Sequence, residues 1–289
     1  MEEIRQLLER HGYVTDNEIA TAVHLAMALQ KPLLVEGPSG VGKTEIAKVM
    51  AKALNTKLIR LQCYEGIDAN MALYEWNYQR QLLHIKLEEH SDKTPEQKEA
   101  LIFSEPFLLQ RPLLQALRCD QSPVLLIDEI DRSDEAFESF LLELLSDWQI
   151  TIPEIGTLTA THIPYVVTTS NRTRELSDAL RRRCLYLWID YPSFEKELAI
   201  VRGKVPGIDA RLAAQITTFV QAIRKKKLQK LPGVAETLDW AAALTALHRT
   251  HLDAAIIEET SGALFKSRED ALKVKTELLP ELLPSIENA

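Results

Sequence analysis

The chain has 289 residues, 46% of them hydrophobic and 26% charged, an ordinary globular composition and enough length for two domains. Its 42 acidic residues outweigh 34 basic ones, and the net charge of −8 argues against a nucleic-acid scaffold. No apolar run approaches membrane-spanning length, and the acidic Glu2 and Glu3 with no apolar core stretch after them predict no signal peptide, so the cytoplasm is the expected location.

Thr15-Asp16-Asn17-Glu18 reads as a capping box opening a helix to about Gln30, with Ile19, Val23, Ala26 and Met27 on one face. After Lys31-Pro32, Leu33-Leu34-Val35 reads as a buried strand, and residues 45–54 as a helix with Ile46, Met50, Ala53 and Leu54 apolar. Lys57-Leu58-Ile59-Arg60-Leu61 is a second strand. Tyr64, Tyr74, Trp76 and Tyr78 mark an aromatic stretch, and the alternation of Leu83, Ile85 and Leu87 predicts a hairpin or strand. Residues 88–99 read as an exposed loop or helix start, and 107–117 as a packed helix. Val124-Leu125-Leu126-Ile127 is continuous enough for a buried parallel strand and ends in Asp128-Glu129.

The next helix starts near Ser133-Asp134 and places Phe137, Phe140, Leu141, Leu144, Leu145 and Trp148 on one stripe. Residues 150–152 and 157–159 flank a Pro153…Gly156 turn as a small hairpin. Val166-Val167-Thr168-Thr169 is a strand leading to Ser170-Asn171, and Leu185-Tyr186-Leu187-Trp188-Ile189 is the last one. From Ser193 onward only helical periodicity remains. Strands alternating with helices predict an α/β domain with a mainly parallel sheet over residues 1–191, followed by a smaller all-helical domain over 192–289.

The chemistry centres on Gly37-Pro38-Ser39-Gly40-Val41-Gly42-Lys43-Thr44, which fits the phosphate-loop pattern G-x-x-x-x-G-K-[ST] without mismatch. A glycine-rich turn between strand and helix aims successive N–H groups at an anion, and the helix N-terminus adds partial positive charge. Lys43 can reach the β- and γ-phosphates of ATP, and the Thr44 hydroxyl can ligate Mg²⁺. Asp128, at the carboxyl end of a buried strand, can hold the same ion through water, and Glu129 can polarise the attacking water. A strand-end Asp-Glu pair that only caps the next helix is the plainer reading; the phosphate loop upstream favours the catalytic one. Asp131 and Arg132 read as a local pair or helix-entry contact.

Asn171 can orient water or the γ-phosphate, and an arginine of Arg181-Arg182-Arg183 can serve a neighbouring subunit's nucleotide. Cys63, Cys119 and Cys184 stand apart without a C-x-x-C pair and read as small buried residues in a reducing compartment. His248 and His251 lack the acidic partner of a metal motif. Arg224-Lys225-Lys226-Lys227 reads as the solvated end of a helix.

Taken in order, a phosphate loop, an apolar strand ending in Asp-Glu, a strand-end Asn, an arginine before the last strand and an all-helical tail resemble AAA+ ATPases. More narrowly, residues 61–66, 128–132, 169–176, 179–184 and 232–240 resemble the MoxR branch, particularly its CoxD-like members. The resemblance implies Walker A at 37–44, Walker B at Asp128 and Glu129, sensor 1 at Asn171, and an arginine finger at Arg183 with Arg182 as runner-up. It implies a ring, usually a hexamer, with ATP at subunit interfaces. It further implies maturation or metal-cofactor insertion of a client enzyme, alongside a partner with a von Willebrand factor A domain. A nucleic-acid-dependent motor or loader is the alternative. Ala235-Glu236-Thr237 stand where the family offers a sensor 2 arginine, a departure that leaves the lid to sense nucleotide otherwise. Tyr74-Glu75-Trp76-Asn77-Tyr78 lies where such rings place substrate-gripping loops, and equally suits a half-buried hairpin.

Overall fold

The computed structural model describes residues 2–89 and 93–287. Helices α1 (Glu2–Arg10) and α2 (Asn17–Leu29) precede β1 (Leu33–Glu36), α3 (Lys43–Ala53) and β2 (Leu58–Gln62). A run of short elements follows: α4 (Ala69–Ala72), β3 (Tyr74–Trp76), α5 (Tyr78–Leu87), α6 (Pro95–Ile102), β4 (Leu108–Gln110) and α7 (Pro112–Leu117). Then come β5 (Val124–Asp128), α8 (Glu135–Asp147), β6 (Gln149–Ile152), β7 (Gly156–Thr159), β8 (Tyr165–Ser170), α9 (Asp178–Arg183) and β9 (Leu185–Trp188). The rest is helical: α10 (Phe194–Lys204), α11 (Ala210–Arg224), α12 (Val234–Ala246), α13 (Ala254–Leu264) and α14 (Arg268–Lys273). A π-helical turn, Val274–Leu278, then leads into α15 (Leu279–Glu287).

The main sheet has five strands in the order β2-β5-β8-β1-β9. Its registers are parallel: Leu58 faces Val124, Val124 faces Tyr165, and Leu33 faces Val167. Strands β1 and β5 are buried along their whole length, as their unbroken apolar runs require when both faces of a parallel sheet are covered. Parallel register brings the carboxyl ends of β1, β5 and β8 to one edge, where open α/β sheets bind ligands. Asp128 and Ser170 therefore end their strands side by side with Glu36.

The chain divides into two compact units. One contains Asn17–Glu36 and Ile46–Leu187; the other contains Arg5–Asp16, Gly37–Glu45 and the stretch from Trp188 onward. The first unit's core is built on Leu113, Leu114, Leu125, Ile127, Leu141 and Leu144. Asp134 starts α8 by accepting the Phe137 amide at 2.8 Å, and the apolar stripe that follows is what the helix buries. The second unit's core gathers Ile216, Phe219, Val220, Trp240, Leu244 and Leu264. In α11 Leu212, Ile216, Phe219, Val220 and Ile223 form one stripe at helical spacing that is fully buried.

Local expectations between β2 and β5 need correction. Leu83, Ile85 and Leu87 lie in helix α5, not in a strand, and all three are exposed. Their alternation does not report a sheet face, because no sheet buries them. Asn77 caps the helix by accepting the Arg80 amide, and helix-favouring Gln, Arg, Leu and Lys side chains carry it on. Residues 107–117 are likewise not one helix: Pro112 opens α7, and the preceding segment pairs as β4 with β3, Trp76 facing Leu108. Trp76 is only 6% exposed and meets Tyr74 and Phe103 edge to face at 6.1 and 5.3 Å. It belongs to the core, which removes it from any substrate-gripping surface.

Candidate nucleotide-binding and hydrolysis residues

In the first unit, Asp128 is the last residue of β5 and is buried at 3% exposure. The Thr169 hydroxyl on the neighbouring strand donates to its Oδ1 at 2.6 Å and accepts the Glu129 amide at 2.9 Å, so β8 fixes both acids through one side chain. Arg60 on β2 donates to the other oxygen of Asp128 through Nη2 at 2.6 Å and Nε at 3.1 Å. Glu129 adopts the left-handed conformation, φ 55°, an uncommon state for a residue with a Cβ. That turn half-buries its carboxylate beyond the strand end, where Gln62 Nε2 reaches Oε2 at 3.1 Å, Arg132 Nε reaches Oε2 at 3.2 Å, and Asn171 Nδ2 reaches Oε1 at 3.3 Å. Asn171 therefore lies against Glu129, beside Asp128 at the strand end.

Asp131 is not the local partner of Arg132 that its neighbourhood in the chain suggests. It is buried, and accepts the Thr173 amide at 2.8 Å, the Thr173 hydroxyl at 2.7 Å and the Asn171 amide at 3.2 Å. Fully buried Glu138 accepts the Ser177 amide at 2.8 Å and forms an ion pair with Arg174 Nη2 at 2.5 Å. Two acids well upstream in the chain thus strap the Asn171 loop. Glu36, the buried end of β1, accepts the Tyr186 hydroxyl at 3.1 Å with Arg172 Nε at 3.8 Å. Burial, and next the Glu36 carboxylate, hold the Tyr186 phenol above its ordinary pKa.

Arg183 and Arg182, the two finger candidates, differ in surroundings. Arg183 is half-buried and donates to Ser146 Oγ at 2.5 Å and to the Ala179 carbonyl at 3.0 Å. Arg182 is exposed. Cys63 and Cys184 are held as thiols, burial pushing both up to about 12, so neither is a nucleophile at neutral pH.

In the second unit lies the phosphate loop, Gly37 to Thr44. Gly37, Gly40 and Gly42 have φ of 152°, 77° and 96°, values that side chains resist. At Gly37 a Cβ would also lie 1.9 Å from the Ile189 carbonyl oxygen, whereas at Gly42 none of the described residues stands within 4 Å. Lys43 is buried and donates to the Gly37 carbonyl at 2.7 Å and the Pro38 carbonyl at 2.6 Å. Its ammonium therefore sits over the loop it serves. Thr44 is half-buried in the first turn of α3.

The N-terminus of α12 packs on this loop. The Ala235 amide donates to the Gly40 carbonyl at 3.1 Å, and a Cβ on Gly233 would lie 2.7 Å from Ser39 O. Glu236 turns back to accept the Gly233 amide at 2.9 Å, so this side chain, within the Ala235-Glu236-Thr237 stretch, caps the helix. Thr237 joins a buried network: Arg224 forks onto Glu197 at 2.6 and 2.8 Å, Thr237 Oγ1 donates to Glu197 at 2.9 Å, and Gln221 adds a donor at 2.7 Å. Arg224 is consequently not the solvated helix end its Arg-Lys-Lys-Lys run predicts.

Sequence reasoning overlooked Arg60 and Gly233, and it gave Asp131 a local role where the fold gives it Thr173 and Asn171. The i, i+2 spacing of Arg60 and Gln62 on one strand is the only trace it offered of the first, since their partners lie in another strand.

Residues 32–184, more than half of the chain, match the AAA domain family, dynein-related subfamily. The chain is 24% identical over 222 residues to an uncharacterised protein of Staphylococcus haemolyticus, covering 74% of this chain and 76% of that one. It is 24% identical over 213 residues to the denitrification regulatory protein NirQ of Stutzerimonas stutzeri, covering 71% and 68%. Over 156 residues it is 27% identical to the chaperone protein ClpB of Chlamydia trachomatis, of which it spans only 15%. A solved structure of a Thermotoga maritima RuvB point mutant superposes with a TM-score of 0.52 at 17% identity, covering 99% of this chain and 82% of that one, a likeness of fold. With its phosphate loop, strand-end acids and five-stranded parallel sheet, the chain belongs to the AAA domain family, dynein-related subfamily, and is an ATP-hydrolysing enzyme that takes ATP with Mg²⁺.

Proposed function

We propose that the chain is a MoxR-type, CoxD-like remodelling factor that works as a ring, a hexamer, with residues 1–191 as its nucleotide-binding part and 192–289 as its lid. It uses ATP hydrolysis to mature a client enzyme or insert its metal cofactor, alongside a partner carrying a von Willebrand factor A domain. The observation that carries the hydrolytic part is the convergence of Asn171 on Glu129 at 3.3 Å, beside Asp128 at the strand end. The remodelling part is supported by the MoxR-like stretches in the sequence and by the names of two relatives, a chaperone and a denitrification regulator.

In this reading the loop amides of residues 37–44 cradle the phosphates, and Lys43 exchanges the Gly37 and Pro38 carbonyls for phosphate oxygens. Glu129 accepts the proton of the attacking water, and Asn171 orients that water. The Thr44 hydroxyl and the Asp128 carboxylate are hard oxygen donors that suit Mg²⁺, which neutralises charge on the phosphates when bound. Arg183 of one subunit serves the nucleotide of the next. Its engagement with Ser146 requires it to swing free, and exposed Arg182 is the competing candidate.

Affinity capture with Glu129→Gln, loaded with ATP, tests the remodelling reading, because a stalled motor retains its client. Recovery of a metalloenzyme and a von Willebrand factor A domain protein is the expected result. ATPase activity stimulated by DNA and unaffected by protein clients would instead favour the nucleic-acid motor.

A further inference from the structure

Asp128 has a competitor for its carboxylate built into the edge of the sheet. In the register of β2 on β5, Gln62 faces Asp128 and Arg60 faces Leu126, so Arg60 and Gln62 lie on one face of β2 with Arg60 two residues short of the acid. The arginine side chain spans that distance. Its Nη2 and Nε both donate to Oδ2 of Asp128, at 2.6 and 3.1 Å, while Nη2 also meets Gln62 Oε1 at 2.5 Å. The acceptor is nearly sealed and the donor is not: the Asp128 side chain is 4% exposed, that of Arg60 51%.

A carboxylate that deep needs a counter-charge, and a two-donor guanidinium is the strongest a side chain provides. An arginine half in water can leave at small cost, since its charge is resolvated on departure. Oδ1 is already taken by the Thr169 hydroxyl at 2.6 Å, so a cation arriving at Asp128 meets Arg60 at the remaining oxygen. Two positive charges at one oxygen repel, and binding of either weakens the other.

We propose that Arg60 is an exchangeable counter-ion of Asp128. It holds the acid neutralised and oriented until Mg²⁺ displaces it, and thereby sets the Mg²⁺ concentration at which nucleotide binding becomes metal-dependent. The proposal deepens the functional reading above and rests on Asp128 being the carboxylate that faces the metal. Arg60 is a positioning residue, acting on the nucleotide only through Asp128.

The test is equilibrium binding of a fluorescent, non-hydrolysable ATP analogue to the full chain, titrated with Mg²⁺ from an EDTA-treated start. Arg60→Met is expected to lower the half-saturating Mg²⁺ concentration about three- to tenfold, the range of a partly exposed ion pair, and to leave analogue affinity in EDTA unchanged. Arg60→Lys, a cation without the fork, should fall between that variant and the wild type. Asp128→Ala should raise the Mg²⁺ requirement, and adding Arg60→Met to it should change nothing further. An Mg²⁺ requirement unchanged or raised in Arg60→Met, with Asp128→Ala behaving as expected, overturns the counter-ion role and leaves the site reading intact. An unchanged requirement in Asp128→Ala overturns the site reading instead. Should Arg60→Met fail to fold by circular dichroism, Arg60→Lys carries the decision: a lowered requirement supports the proposal, and an equal or higher one refutes it.

Discussion

Gly233→Ala isolates the contact between the phosphate loop and the start of α12. The backbone at Gly233 has φ −81° and ψ −178°, which any residue adopts, so the substitution introduces no conformational strain. Only space is at issue. The added Cβ would lie 2.7 Å from Ser39 O, 2.8 Å from Gly40 Cα and 3.0 Å from Glu236 Oε2. The first two are backbone atoms of the loop and cannot turn aside as a side-chain end can, so loop or helix must shift. Forced displacements of this kind cost about 1–3 kcal/mol. Where the cost falls on the cradle that ATP requires, nucleotide affinity weakens by roughly five- to 150-fold. Gly262→Ala is the control: that glycine lies within α13 with none of the described residues inside 4 Å of its would-be Cβ, and the change should stabilise by about 0.5–1 kcal/mol. Calorimetric titration with ATP, paired with urea unfolding of both variants, reads the two effects. Wild-type affinity and wild-type stability in Gly233→Ala would mean that the loop and the start of α12 do not approach this closely.

Lys43→Ala should abolish ATP binding in the same titration, because the loop loses the ammonium that neutralises the phosphates; retained wild-type affinity would place nucleotide elsewhere. Glu129→Gln should keep ATP binding and stall turnover, since an amide cannot accept the proton of water, and brisk hydrolysis would assign the base to another group. Arg183→Ala should bind ATP normally and lose on the order of 10³ in rate, with activity recovered when its subunits are mixed with Lys43→Ala subunits. If Arg182→Ala carries that defect and Arg183→Ala does not, the exposed neighbour is the finger. Trp76→Ala should cost about 3–5 kcal/mol of stability measured by denaturant unfolding, as large core truncations do, and a loss of client-dependent activity at full stability would return Trp76 to the surface role.

Features that answer a local backbone demand were legible in the residues alone. A loop that must place glycines at φ of 77° and 96° around an anion writes those glycines into the chain, and Lys43 and Thr44 follow at fixed offsets. A strand buried on both faces is written as an unbroken apolar run, so β5 and its terminal Asp128-Glu129 could be read, as could the amphipathic stripe of α11. Alternation misled at Leu83, Ile85 and Leu87 because periodicity reports a buried face only where something buries it, and these three side chains are exposed. The partners that register and packing choose came only with the fold. Arg60 meets Asp128 across 68 positions because β2 lies beside β5; Asp131 receives the Asn171 loop across 40 because β5 lies beside β8; Gly233 meets Ser39 because α12 begins against the phosphate loop. No residue type announces such a partner in advance. An arginine on an edge strand, an acid after a strand and a glycine before a helix are each ordinary alone, and they acquire a role only when the fold sets the second group within hydrogen-bonding or van der Waals reach.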